Sequence, residues 1–95
     1  MGIGISNNSV AVIEDNMITR DKQPGIAVNG SLALELNRNK ITGTGDIPGI
    51  LVINQGIVLE MVGNRVDGNN FGPAYMVDEG STIGRETAPP LLERR

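Results

Sequence analysis

A chain of 95 residues without cysteine or histidine has no disulfide staple, no thiol chemistry and no imidazole to serve as base or metal ligand. Its 8 basic and 11 acidic residues give a net charge of −3 without long runs of either sign, which argues against nucleic acid, a partner that asks for a basic stripe. No apolar stretch approaches the roughly 18 residues of a membrane span, and the start, Met-Gly-Ile-Gly-Ile, lacks the charged opening of a secretion signal, so the default expectation is a cytoplasmic protein with no membrane partner.

The chain repeats itself. Residues 2–24 read GIGISNNSVAVIEDNMITRDKQP, residues 25–48 GIAVNGSLALELNRNKITGTGDIP, and residues 49–73 GILVINQGIVLEMVGNRVDGNNFGP. A truncated fourth copy, AYMVDEGSTIG, begins at Ala74. The marker Ile3, Ile26, Ile50, Tyr75 advances by 23, 24 and 25 residues, and a second marker, Asn16, Asn39, Asn64, advances by 23 and 25. The drift is expected to sit in the Gly, Asn, Asp and Pro stretches, where loops absorb length.

Within each copy the apolar period is two. Ile3 and Ile5, Ile26 and Val28, and Ile50 and Val52 predict a first strand facing inward, with Gly4, Ala27 and Leu51 pointing out. Ala11/Ile13, Leu34/Leu36 and Leu59/Met61 predict a second strand, with Val12, Glu35 and Glu60 on its outer face. A third strand follows each marker asparagine, with Ile18, Ile41 and Val66 inside and Met17, Lys40, Arg65, Thr19, Thr42 and Asp67 outside. No such strand buries its inner face alone, so stacking of copies at roughly 4.8 Å per rung closes a shared core. The expected fold is all-β, a parallel β-solenoid of about four coils with three short strands per coil and no substantial helix. Residues 1–86 form the solenoid, and residues 87–95, TAPPLLERR, form a tail or a cap, with Leu91 and Leu92 folded under the last rung or docked on a neighbour.

The order of a G-I-x-[IV] strand, a second strand and then Asn-x-[IV] resembles the right-handed parallel β-helix repeat of pectate-lyase-like proteins and of carbohydrate-binding and sugar-hydrolysing β-helix domains. It covers residues 2 to about 84. The resemblance implies a right-handed coil and a stacked asparagine ladder of Asn16, Asn39 and Asn64, each amide bonding its neighbours above and below. It says little about function, because this fold carries lyases, hydrolases, adhesins and scaffolds alike.

The candidate working surfaces follow from the same pattern. The first strands set an outer column of Gly4, Ala27, Leu51 and Met76, with Ile53 beside Leu51, and an uncharged apolar column is a contact surface before it is a catalytic one. Ala27, Leu51, Ile53 and Met76 are therefore the candidate interface of a homo-oligomer. Glu35 with Lys40 and Glu60 with Arg65 share one offset in successive coils, which predicts two surface ion pairs. Glu35 and Glu60 one rung apart make a conceivable pair of glycosidase carboxylates, and Asp21 and Asp46 conceivable calcium ligands, but neither set assembles a complete site. The first rung has no preceding helix to cap it, so either the chain is a piece of a longer solenoid or another copy covers that end. No cofactor, metal or catalytic residue is expected. The expected role is a non-enzymatic assembly module that self-associates; a carbohydrate- or protein-binding module, or a fragment of a polysaccharide lyase or hydrolase, are the alternatives.

Overall fold

Runs of aliphatic residues cut by Gly, Asn or Ser every few positions give short strands separated by corners. The computed structural model describes residues 2–19, 23–69 and 74–86. The first coil holds β1 (Ile3–Ile5), β2 (Val10–Glu14) and β3 (Met17–Thr19), and the second β4 (Ile26–Asn29), β5 (Leu32–Asn37) and β6 (Lys40–Gly45). The third holds β7 (Ile50–Ile53), β8 (Ile57–Met61) and β9 (Arg65–Asn69), and β10 (Tyr75–Val77) and β11 (Thr82–Glu86) begin a fourth. Strands of like position pair in parallel as β1-β4-β7-β10, β2-β5-β8-β11 and β3-β6-β9. The protein is a parallel β-solenoid with three strands per coil, and no helix occurs among the described residues. Residues 87–95, with Leu91 and Leu92, lie outside the described residues, as does Asp21.

Each of the first three rungs turns its first and second corners through backbone in the left-handed region. Between the second and third strands a single residue does it: Asp15 (φ 58°), Arg38 (φ 54°) and Gly63 (φ 71°), each directly before a marker asparagine. Between the first and second strands Asn7, Asn8, Gly30, Asn54 and Gln55 do it, with φ between 54° and 64°. Asn and Gly tolerate this region at least cost, which is why the corners are rich in them.

The core is a stack of aliphatic layers. Ile26, Val28, Ile50 and Val52 fill it from the first sheet, Ala33, Leu36, Val58 and Met61 from the second, and Ile18, Ile41 and Val66 from the third. Strict alternation fails in the second strands. Leu34 is 40% exposed and Leu59 49%, so neither is the core residue that the period of two predicts. The β2–β5 register slips between Ala11 and Val12, with Ala11 opposite Ala33 and Val12 opposite Glu35. Leu34 is the extra residue of a bulge: it and Glu35 both point outward, and Ala33 and Leu36 take the inner positions. β8 carries the same irregularity, with Val58 and Met61 buried on either side of Leu59 and Glu60. The extra residue of β5 offsets a first corner one residue shorter than that of the first coil, so Ile26 to Asn39 spans the same length as Ile3 to Asn16.

Candidate functional site

The left-handed residue at the second corner aims the next side chain along the stack. Asn39 and Asn64 are buried, Asn16 half-buried. Asn16 donates from both its backbone N–H (3.1 Å) and its Nδ2 (2.9 Å) to Oδ1 of Asn39. Asn39 repeats this towards Oδ1 of Asn64 at 3.0 and 2.9 Å. The second Nδ2 hydrogen of Asn39 reaches the Ile13 carbonyl at 3.1 Å, and Asn64 Nδ2 reaches that of Leu36 at 2.7 Å. The three marker asparagines are thus brought into one amide column, and the buried amide of Asn39 has every donor and acceptor engaged.

Two further polar columns escape a reading based on the apolar period. At the first corner, Asn54 donates from Nδ2 to Oδ1 of Asn29 (2.9 Å) and from its backbone N–H to Asp78 Oδ2 (2.8 Å). The Ser81 hydroxyl donates to Asp78 Oδ1 at 2.5 Å. These bonds, the Ser81 hydroxyl first and the Asn54 and Gly80 N–H groups after it, hold the Asp78 carboxyl below the usual carboxylate range. Serine oxygens accept across rungs beside them, from Ser9 N–H to Ser31 Oγ and from Gly56 N–H to Ser81 Oγ, both at 3.1 Å. A serine directly before the second strand in three of four copies is the sequence signal for this column. At the second corner Asn37 is buried, accepts from the Val62 N–H (3.0 Å) and donates to Glu60 (2.7 Å) and Glu35 (3.3 Å).

The charges pair between rungs or along a strand, and not across the corner as the shared offset predicts. Glu60 meets Arg85 of the next rung at 3.1 Å, and Arg65 meets Asp67 on its own strand at 3.1 Å. Glu35 and Lys40 form no ion pair among the described residues. Glu35 instead turns to Asn37, the last residue of its own strand. Arg38 reaches Glu14 (3.0 Å) and Asp15 (2.9 Å), and its hydrogen bond lowers the pKa of Asp15. Glu35 and Glu60 thus share the Asn37 amide on an outer sheet face.

The two large outer faces differ. On the first-strand sheet Leu51 and Ile53 are half-buried and Met76 is 44% exposed, but Ala27 is only 4% exposed. Ala27 is therefore no surface contact by itself: its methyl is short, and the rungs of Gly4 and Leu51 flank it on both sides. It forms the floor of a depression of about 260 Å³ whose wall is Leu51 and Ile53. The second-strand sheet is the more apolar face. Of seven large apolar side chains exposed among the described residues, Val10, Val12, Leu34, Ile57 and Leu59 lie on it, five in all. The bulge puts two of those five there.

No family model, curated protein or solved structure matches the chain. Residue geometry alone thus bears on its role. At the third corner Asp46 is exposed, and among the described residues no group of three or more Asp or Glu side chains is placed to hold a metal ion. The Thr44 hydroxyl, fully buried, has no hydrogen-bond partner there.

Proposed function

We propose that the chain is a non-enzymatic structural module that self-associates through the outer faces of its solenoid. On this reading it is a short member of the right-handed pectate-lyase-like β-helices, with Asn16, Asn39 and Asn64 as its asparagine ladder. The observation that carries the proposal is the apolar face of the second-strand sheet, where Val10, Val12, Leu34, Ile57 and Leu59 stand exposed on three consecutive rungs. An isolated exposed leucine needs no explanation, but five large apolar side chains on one sheet face, set around the engaged Glu35 and Glu60, mark a contact surface. The engaged state of Glu35, Glu60 and Asp78 argues in the same direction, since these carboxylates serve neighbouring side chains and main-chain groups.

Light scattering over a wide concentration range tests this. The chain is expected to associate as concentration rises, and Leu59→Lys to associate several-fold less at equal concentration with an unchanged circular dichroism spectrum. A natural chain that stays monomeric throughout, or a Leu59→Lys variant that associates as the natural chain does, overturns the proposal. The second reading, a carbohydrate- or protein-binding module, draws on the corner groove of about 180 Å³ where Asn8, Ser9, Ser31 and Gln55 stand beside Val10, Leu32 and Ile57.

A further inference from the structure

The outward column of the first-strand sheet runs Gly4, Ala27, Leu51, Met76, one residue per rung and in direct register. Side-chain size rises along it from a hydrogen to a methyl, then an isobutyl group, then a thioether. The face is consequently a wedge: hollow over Gly4 and Ala27, where the 260 Å³ depression lies, and raised at Met76, which is 44% exposed. Against a flat partner such a face leaves a void, and voids forfeit the dispersion contacts of their lining. Against its own copy, turned by a two-fold axis parallel to the strands and passing between the second and third rungs, the void closes. The thick end of each face then lies on the thin end of the other.

We propose that a second copy of this chain docks on this face with reversed rung order, Met76 of each copy filling the notch over the other's Gly4 and Leu51 lying over the other's Ala27. Such a contact is isologous, each residue pair occurring twice. Charge selects the same arrangement. The acidic groups at this edge of the sheet, Asp78 and Glu79, belong to the fourth rung, and the first rung carries the uncharged Ser6, Asn7 and Asn8 in the matching corner. Reversed order sets Asp78 opposite the partner's Ser6, whose hydroxyl is a donor for a carboxylate. Equal order needs an axis along the stack, which reverses the strands; Asp78 then lies opposite the partner's Ala74, which offers no side-chain donor, and the notches stay empty. Four rungs at about 4.8 Å by three or four residues at about 3.3 Å make a small face. It falls well below the ~800 Å² per partner of a standard interface, so the contact is weak and concentration-dependent.

This inference rests on the reading of the chain as a self-associating module and adds a second, separate face to it. A contact through each of two separate faces links copies into open rows. The chain has no cysteine of its own, so introduced ones report cleanly. In a Leu59→Lys background, which silences the second-strand face, Ser6→Cys and Glu79→Cys variants are treated with a bis-maleimide of about 10 Å reach, alone and mixed. Both positions are exposed, Glu79 away from the notch and Ser6 among the residues that line it. With reversed order the like positions sit three rungs apart, about 14 Å along the stack, and the unlike positions meet. The mixture is expected to cross-link several-fold more than either variant alone, and Ala27→Leu, which fills the notch, to abolish the excess while leaving the thermal melt in place. A mixture that cross-links no more than its components overturns the reversed contact, and an excess that survives Ala27→Leu overturns the notch as its cause. Failure of the second-strand face reads out separately, as a Leu59→Lys chain whose association equals that of the natural chain.

Discussion

Asn39 is the residue whose loss is felt in most directions, because its amide joins three rungs: it accepts two N–H groups from Asn16 and donates to Asn64 and to the Ile13 carbonyl. Removing it strands buried partners, and a buried polar group left unpaired costs more than the net worth of the bond it made. Asn39→Ala is expected to lower the unfolding free energy by about 1–3 kcal/mol in a denaturant titration; an unchanged midpoint would remove the column from any account of stability. The position of this column was legible in the sequence, since Asn16, Asn39 and Asn64 march with the repeat and each precedes an aliphatic residue by two. The columns at the first corner were not. Asn29 and Asn54 are continued by Asp78, and only shared corner geometry shows that an amide and a carboxylate can take equivalent places.

At the scale of the strand, the first sheet follows its apolar period, the third follows it as far as Thr42, beyond which the β6–β9 register slips, and the second does not. A period of two assumes one residue per step, and β5 spends an extra residue that flips every later side chain to the opposite face. Nothing in the letters LALELN distinguishes Leu34 from Leu36; the difference is whether the bulge falls before or after Leu34. The consequence is large, for it decides which leucine is core and which belongs to the contact face. Leu36→Ala is expected to cost about 2–5 kcal/mol, as for a buried leucine. Leu34→Ser should stay within about 0.5 kcal/mol, as for a surface change. Equal losses at the two sites in thermal melts would place both leucines inside and refute the bulge.

For the molecule as a whole, carboxylates tie rungs together near both ends of the stack. Asp15 of the first coil is held by Arg38 of the second, and Asp78 of the fourth accepts from Asn54 of the third. Both carboxyls sit below their ordinary pKa, Asp15 through the Arg38 hydrogen bond and Asp78 through the Ser81 hydroxyl. A folded pKa below the unfolded one gives stability that is complete above the unfolded value of about 3.9 and is lost as pH falls through the folded value. The melting temperature is therefore expected to hold from neutrality down to about pH 4–5 and to drop below it, and Asp78→Asn to flatten part of that drop. A melting temperature constant to pH 2 would show that these bonds do not couple rungs. The corner they share with the amide column has one more property. From Ile13 to Ile18, Leu36 to Ile41 and Met61 to Val66 the chain always takes the same number of steps, although the whole repeat lengthens from copy to copy. A left-handed residue and an asparagine that must meet its twin fix that spacing, so insertions and deletions are barred there and admitted at the other two corners. Any novelty such a lineage acquires by gaining or losing residues will accumulate on those two ridges, and a designer lengthening this chain should cut there as well.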